Sequence, residues 1–453
     1  MRDLTSLIRR TFISLCAFSH TTNLATRWKG AAYFLPALFV KRYANMGALD
    51  SAQFAAEIAQ VRSFTDTDWC GHWDTIALQH LGRAEAALKV LTGQTFSLLE
   101  LPESENPFGD LSTRYSAVLY AMADAGPQEA PAAMQALIRS QVPSSQEADT
   151  LNLATLSEAL IKAITYFQVS AFPGHTPART HAYWQSQRLF DRLLQLYGDC
   201  LGVSIEKRVI VVEGEKVQGY LVLPAGPGPH PTVLISNGLE GTTQELLLPL
   251  FKYRHTGLAL FVMEMPGSYV YSRAMSPASE QVYHQVINNL AADTRIDAAR
   301  LAMVGVSFGA YWSARMSAVE PRLRCAVVCG APTHHTFGLA NSVGMPEIIV
   351  QALHDTVRAS SPLDLKRKLG QLSLQPLYPQ IAIPLLVING DNDTLISTQD
   401  SIDLAEATGA TLWLYPDDDH CAMGHYHEWL EASQGWLCQQ LGIVQASGSS
   451  ITH

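Results

Sequence analysis

The pattern that most constrains the fold of this chain lies in residues 201–446. Short runs of β-branched and other apolar residues recur there, and most are continuously apolar, as strands buried on both faces of a sheet must be. We predict eight strands, at RVIVV, GYLVLP, TVLIS, LALFVMEM, LAMVGV, CAVVC, PLLVIN and TLWLY. Stretches with helical spacing fall between and after these runs. Such alternation indicates an α/β fold with a mostly parallel, doubly wound sheet.

The sequence before residue 200 has a different pattern. Strand signals are nearly absent, and five long stretches place apolar residues three and four positions apart. We predict an all-helical cap domain over 46–200, a helical extension over 1–45 and the α/β domain over 201–446. Within the α/β domain, 333–380 interrupts the alternation and is predicted to belong to a lid, and 447–453 is predicted to be a disordered tail. A length of 453 residues suits two or three domains.

Two further patterns concern the helical half. Gly and Pro in GPQEAP, residues 126–131, and in FPGHTP, residues 172–177, are predicted to separate helices. Aromatic residues at helical spacing favour a core role over a role in a substrate pocket. They are Trp69, Trp73, Tyr166, Phe167, Tyr183 and Trp184.

Charge and cysteine usage exclude several classes of protein. The chain has 31 Lys and Arg against 41 Asp and Glu, a net charge of −10, and no basic run, which argues against a nucleic-acid partner. The seven cysteines are scattered and include no C-x-x-C pair, which favours a reducing compartment and no structural metal. No cofactor is predicted. Cys421 lies in an acidic stretch that disfavours a thiolate, so an inert packing role is expected.

The N-terminal segment admits two interpretations. Arg9 and Arg10 before an apolar run resemble a twin-arginine export signal, but the run is too short for a membrane span, which needs about 18 residues. We therefore favour a cytoplasmic protein with a helical extension and without a membrane span. Such an extension also suits a contact in a homodimer.

Ser307 is the first residue with a chemical role to consider. It lies in the pentapeptide Gly305-Val306-Ser307-Phe308-Gly309, directly after a predicted strand and before a predicted helix. Glycines on either side permit a sharp strand-to-helix turn, which would present the hydroxyl as a nucleophile. The alternative is an ordinary helix N-cap.

A serine nucleophile needs a base and an acid, and in a sheet of this kind they follow it in the order acid, then histidine. The strand PLLVIN runs into Gly390-Asp391-Asn392-Asp393, where Asp393 is favoured as the acid and Asp391 is expected to shape the turn. His420 follows the last strand and is the candidate base. A metal site built from His420 with His425 and His427 is the rival, although their spacing matches no zinc motif.

Backbone amides complete the candidate site. Leu239 follows the strand TVLIS, and its amide together with that of Phe308 is expected to form an oxyanion hole. Glu240 is next in the chain, and it is either a solvated turn residue, which is favoured, or a carboxylate that faces the substrate.

The motifs together resemble the α/β-hydrolase family, and in particular its members with an N-terminal helical domain. Those members include the fermentation-respiration switch esterases, fungal hydrolases that shorten polyketide chains and a nicotine-degrading hydrolase. The resemblance begins near residue 60 and rests on YFQVSAFPGHTPART, SNGLEGTTQE, FVMEMPGSY, VGVSFGAYWSAR, CGAPTHHTF, INGDNDTLIS and DDDHCAMGH.

The resemblance implies a serine hydrolase with a small-molecule substrate of polyketide-like or aryl ketone type. The bond attacked is either an ester or the carbon–carbon bond of a β-dicarbonyl, since the same triad serves both. His334 and His335 fall at a family position, which implies either substrate contact or a purely structural role. Two other hypotheses are an acyltransferase or cyclase that uses the same triad, and an inactive regulatory binding protein with a hydrolase fold.

Overall fold

The computed structural model of the chain describes residues 2–36, 38–141, 144–338 and 344–443, so the predicted tail at 447–453 lies outside the described residues. Contacts divide the chain into two units. The helical unit contains the described residues of Met1–Gly202, Gln244–Lys252 and Val343–Ala352. The sheet unit contains those of Val203–Thr243, Tyr253–Ser342 and Leu353–His453. The short segments 244–252 and 344–352 thus group with the helices that precede the sheet.

The region before residue 203 is helical in all its described secondary structure. The helices are α1 Arg2–Ser19, α2 Thr22–Lys29, α3 Leu38–Gly47, α4 Ser51–Ile58, α5 Asp66–Thr92, α6 Leu111–Arg114, α7 Ser116–Gln141, α8 Glu147–Ala171 and α9 Pro177–Tyr197. Five of the six aromatic residues considered above are buried, as expected, and Trp184 is 45% exposed. In the segment 126–131 the helical geometry is interrupted at one residue only. Helix α7 kinks at Gly126 (φ 78°) and then continues.

Eight strands form one sheet in the described part of the sheet unit. They are β1 Val203–Val212, β2 Glu215–Pro224, β3 His230–Ser236, β4 Ala259–Met263, β5 Ile296–Val306, β6 Leu323–Cys329, β7 Leu385–Gly390 and β8 Thr411–Tyr415. All eight predicted strands are therefore confirmed. Their order is β1-β2-β4-β3-β5-β6-β7-β8. β1 and β2 are antiparallel to their neighbours, and every pair from β4 to β8 is parallel.

Helices accompany the strands along the chain. They are α10 Thr243–Leu250, α11 Glu280–Ala291, α12 Phe308–Val319, α13 Glu347–Val357, α14 Pro362–Gly370, α15 Thr398–Thr408 and α16 Tyr426–Gln440. Two α-helices of the predicted lid segment, α13 and α14, interrupt the strand–helix alternation between β6 and β7. In the part of the chain that the structure describes, no helix is long and apolar enough to cross a membrane.

Parallel pairing determines where the connecting turns lie. Because β3, β5, β7 and β8 run in the same direction, their carboxyl ends meet at one edge of the sheet. The turns that follow these four strands therefore lie at the same edge. This edge is where open α/β sheets bind ligands.

The turn after β5 depends on a very close approach of three backbones. A Cβ on Gly309 would lie 2.1 Å from the carbonyl oxygen of Ser236 in β3, and a Cβ on Gly305 would lie 2.1 Å from that of Gly309. Only glycine fits at either position without a backbone shift.

We predict that Gly309→Ala lowers the free energy of unfolding by about 1–3 kcal/mol, because the added methyl group forces β3 and α12 apart. Gly435→Ala is the matched control, since a Cβ there meets nothing within 4 Å in the middle of α16. It should raise the free energy of unfolding by about 0.5–1 kcal/mol. Urea denaturation measures both values, and equal effects of the two substitutions would refute this account of the turn.

Candidate active site

Ser307 occupies the turn between β5 and α12 with left-handed backbone angles, φ 57° and ψ −123°. Its side chain makes no capping hydrogen bond to the helix. Instead, Oγ lies 2.8 Å from Nε2 of His420, while the backbone N–H donates to the carbonyl oxygen of Cys329 at 2.7 Å. The residue stands at the N-cap position, but its hydroxyl is directed to the histidine.

The second ring nitrogen of His420, Nδ1, contacts Asp393. Nδ1 of His420 lies 2.7 Å from Oδ2 of Asp393, and the two side chains are 4% and 0% exposed. An N–H on Nδ1 that donates to the carboxylate leaves a lone pair on Nε2 for the serine proton. The three side chains therefore form one continuous chain of hydrogen bonds.

Asp393 accepts hydrogen bonds from its own loop and from strand β7. Its Oδ1 accepts from the amides of Leu395 at 2.8 Å and Ile396 at 2.9 Å, and its Oδ2 accepts from Nδ2 of Asn389 at 3.0 Å. Asp391 accepts from the amide of Asp417 at 2.8 Å instead. The geometry thus separates the two acids, with Asp393 on the histidine and Asp391 in the turn.

Asn389 is a residue that the sequence interpretation missed. It is fully buried in β7, and while its amide donates to Asp393, its Oδ1 accepts from the amide of Cys421 at 2.9 Å. One side chain thereby connects Asp393 with Cys421, the residue next to His420. Its signal in the sequence is a polar residue within the apolar run PLLVIN, at a position whose burial requires hydrogen-bond partners.

The acidic stretch before His420 connects the loop that carries His420 with the loop that carries Asp393. Asp419 accepts from the amide of His420 at 2.8 Å and from the amide of Thr394 at 2.7 Å. Asp418 accepts from the amide of Gly424 and from Nδ1 of His425 at 2.9 Å. His425 is thus paired away from His420, which is not the arrangement that the rival metal site requires.

Burial and charge act in opposite directions on the His420–Asp393 pair. Burial disfavours the charged form of each group, but the Asp393 carboxylate outweighs it and raises the pKa of His420 well above its usual range. Burial alone would raise the pKa of Asp393. The contact with His420 outweighs burial, so the net effect is a lowered pKa. The pair therefore stabilises the imidazolium that forms when the histidine takes a proton.

Cys421 follows the base directly and stays a thiol. Burial raises its pKa well above the usual range. Its Sγ donates to the carbonyl oxygen of Cys329 at 3.5 Å. The inert packing role expected from the sequence agrees with this environment, although burial contributes more than the acidic neighbours.

The turn after β3 lies against the serine. A Cβ on Gly238 would lie 2.6 Å from Cβ of Ser307, so the backbone passes close to the hydroxyl. Asn237 accepts from the amide of Gly238 at 2.8 Å and donates to the carbonyl oxygen of Thr242 at 3.0 Å, which closes the turn. The next amide along the chain is that of Leu239.

Phe308 is the first residue of α12, and an amide at this position has no acceptor within its own helix. Gly238 and Ser307 lie against each other. The amides of Leu239 and Phe308 belong to the residues that directly follow these two in the chain.

The three candidate substrate-binding residues, Glu240, His334 and His335, lie neither in a solvated turn nor in an open site. Glu240 is 1% exposed with φ 52°, so the favoured interpretation as a solvated turn residue is wrong. The ring of His334 bonds Oγ of Ser373 at 2.7 Å, and the ring of His335 bonds Asp403 at 2.8 Å. Polar contacts thus hold His334 to the segment after α14 and His335 to helix α15.

The loop that carries the two histidines is fixed by one buried carboxylate. Asp400, at the start of α15, accepts from the amides of four consecutive residues, 333–336, at 2.6–3.1 Å. A backbone segment held at every residue is a rigid element beside the carboxyl end of β6.

The sheet order, the strand-to-helix turn at Ser307 and the chain order Ser307, Asp393, His420 are those of the α/β-hydrolase fold. A family model described as "Esterase FrsA-like" matches residues 133–441, which is more than half of the chain. The chain therefore belongs to the FrsA-like esterase family.

Curated relatives carry related names. The 2,6-dihydropseudooxynicotine hydrolase of Paenarthrobacter nicotinovorans is 25% identical over 242 residues, 51% of this chain and 63% of that protein. Esterase FrsA of Escherichia fergusonii is 29% identical over 180 residues, 39% of this chain and 43% of the relative. The chain thus spans about half the length of the curated relatives it matches.

Solved structures show the same fold. The structure of 2,6-dihydroxy-pseudo-oxynicotine hydrolase matches with a TM-score of 0.63 and 18% identity, over 88% of this chain and 95% of that one. The structure of AbyA5 matches with a TM-score of 0.56 and 20% identity, over 69% of this chain and 93% of that one. At this identity the likeness concerns the fold alone.

We predict that the pKa of His420 in the Ser307→Ala variant lies above the ordinary 6.5 of a histidine. In Asp393→Asn it should fall below 6.5, because burial then acts on the imidazolium without a neighbouring negative charge. NMR titration of the ring protons measures both values. A pKa of His420 that is equal in the two variants would contradict the proposed balance of burial and charge.

Proposed function

We propose that this protein is a serine hydrolase in which Ser307 is the nucleophile, His420 the general base and Asp393 the acid that orients it. The observation that carries the proposal is the unbroken chain of contacts from Ser307 Oγ to His420 Nε2 at 2.8 Å and from His420 Nδ1 to Asp393 Oδ2 at 2.7 Å. Membership in the FrsA-like esterase family supports it.

The first half of the reaction would proceed by addition to a carbonyl. Ser307 Oγ bonds to the carbonyl carbon as its proton moves to Nε2 of His420, and the carbonyl electron pair becomes an oxyanion. The amides of Leu239 and Phe308 donate to that oxyanion. The imidazolium formed at this step is the species that Asp393 stabilises.

Collapse of the intermediate expels a leaving group that takes the proton from His420. For an ester the leaving group is an alkoxide, and for a β-dicarbonyl it is a carbanion stabilised as an enolate. Water, deprotonated by His420, then attacks the acyl-Ser307 carbonyl carbon. The bond from that carbon to Ser307 Oγ breaks, Oγ takes the proton back from His420, and the acid is released. We propose a small-molecule substrate of polyketide-like or aryl ketone type, on the resemblance of the sequence motifs.

Two other functions remain distinguishable by experiment. An acyltransferase or cyclase would use the same triad with a hydroxyl group or carbon atom in place of water. Incubation with a panel of aryl esters and β-diketones, followed by mass spectrometry, separates the outcomes, since hydrolysis adds the mass of one water molecule and cyclisation of a free substrate adds none. An inactive binding protein would give no product with any compound.

We predict that Ser307→Ala lowers kcat by at least about 10⁴-fold and leaves the free energy of unfolding nearly unchanged. A fluorophosphonate probe should label wild-type protein at Ser307, as located by peptide mass spectrometry, and should not label the variant. Ser104→Ala, an exposed serine in the helical unit, is the control and should keep both activity and labelling. Full activity of Ser307→Ala would overturn the proposal.

We predict that Leu239→Pro lowers kcat by about 10²–10³-fold, because proline removes the amide donor of the oxyanion hole. Leu239→Ala keeps that amide and loses a similar volume of side chain, so it should retain most of the activity. Steady-state kinetics on one aryl ester, with circular dichroism to confirm folding, makes the comparison. Proline and alanine variants of equal activity would exclude Leu239 as a donor.

A further inference from the structure

The N-terminal helices expose an unusual amount of apolar surface. Of the 14 large apolar side chains that are exposed in the described part of the chain, six lie between residues 7 and 28. They are Leu7, Ile8, Leu15 and Phe18 on α1, and Leu24 and Trp28 on α2. Phe18 is 90% exposed and Trp28 is 73% exposed. A cluster of exposed apolar side chains marks an interaction site, whereas single exposed residues need no explanation.

The exposed residues of α1 share one face of the helix. At roughly 100° per residue, Leu7, Ile8, Leu15 and Phe18 fall within about 100° of one another. Ile13 and Cys16 lie on the opposite face and are each 4% exposed. Helix α1 therefore packs on the helical unit with one apolar face and presents a second apolar face to solvent.

Polar contacts hold α1 in this orientation. Arg9 donates to the carbonyl oxygen of Tyr33 at 2.8 Å, and the ring of His20, just after α1, bonds Glu347 at 2.9 Å. The packing of the buried face and these contacts fix which side of the helix faces outward.

The charge of the segment is opposite to that of the whole chain. Residues 7–29 contain four cationic residues, Arg9, Arg10, Arg27 and Lys29, and no Asp or Glu, while the chain has a net charge of −10. Arg10 on α1 and Arg27 and Lys29 on α2 are exposed. The surface thus combines exposed Leu, Phe and Trp side chains with positive charge.

This combination favours an anionic partner over a second copy of the chain. A two-fold symmetric dimer through α1 and α2 would bring the cations of both copies to the same interface, where like charges repel. An anionic bilayer attracts the cations and accepts the apolar side chains at the boundary between headgroups and acyl chains. Trp and Phe are residue types suited to that boundary.

We propose that α1 and α2 form a peripheral docking surface for an anionic phospholipid bilayer. The apolar face of α1, extended by Leu24 and Trp28 of α2, inserts into the outer part of the bilayer, and Arg27 and Lys29 contact the headgroups. No membrane span is involved, and the surface is independent of the hydrolase activity.

Co-sedimentation of the full chain with vesicles tests the proposal. Vesicles of phosphatidylcholine with about a third phosphatidylglycerol should bind the protein, and vesicles of phosphatidylcholine alone should bind it at least about tenfold more weakly. Binding to the anionic vesicles should fall as the salt concentration rises. Equal binding to both kinds of vesicle, or no binding to either, would overturn the proposal.

Substitutions locate the surface. Phe18→Ser with Trp28→Ser should lower the partition coefficient at least about tenfold through lost apolar burial, and Arg27→Glu with Lys29→Glu should do so through lost charge attraction. Leu363→Ser is the matched control, because Leu363 is 77% exposed on α14 and should not affect binding. Ester hydrolysis and thermal unfolding should be unchanged in every variant, which separates loss of binding from loss of folding.

Light scattering after size-exclusion chromatography gives the remaining outcome. A monomer in the absence of vesicles agrees with the proposal. A dimer that dissociates in Phe18→Ser with Trp28→Ser would assign the surface to a second copy of the chain and would overturn the lipid assignment.

Discussion

The close approach of β3, β5 and the start of α12 is the constraint on which the rest of the site depends. Glycine at 305 and 309 lets these backbones come within a distance that any side chain would prevent. The residue between the strand and the helix must then adopt left-handed angles, which costs of order 1–3 kcal/mol in a residue other than glycine. The same turn directs Oγ of Ser307 toward His420 and leaves the first amide of α12 without an acceptor in its helix. One steric condition thus places the hydroxyl of Ser307 and an amide donor together.

The second requirement is that two separate loops present their side chains in register. The loop after β7 carries Asp393 and the loop after β8 carries His420, and parallel pairing of these strands brings the two loops side by side. Asp419 then accepts from the amide of Thr394, and Asn389 accepts from the amide of Cys421, which connects the loops. Because the contact between Asn389 and the amide of Cys421 is buried, breaking it leaves an unpaired polar group in a dry environment, which costs more than the bond itself contributes. The polar contacts of the site and its electrostatics therefore depend on each other.

Much of the fold and of the candidate site was predictable from local patterns. Continuous apolar runs predicted the eight strands, and the glycine spacing around Ser307 together with chain order singled out Asp393 and His420. The predictions failed or were silent where an outcome depends on burial. Glu240 reads as a solvated turn residue because turns are commonly exposed, yet it is 1% exposed. Asn389 was not predicted, because its role depends on which residues of two separate loops face it in the folded chain.

The sequence by itself determined which segments of the chain form strands and helices, since periodicity and glycine spacing act over a few neighbouring residues. It also supplied the residue types that the chemistry of the site requires. It also determined the positive charge of residues 7–29 in an acidic chain. Only the tertiary structure decided which acid pairs with His420, because Asp391 and Asp393 are two residues apart and their directions depend on the loops around them. It likewise decided that α1 has an apolar face on each side, one buried and one exposed, because the helical spacing of apolar residues does not reveal which of two faces the rest of the unit covers.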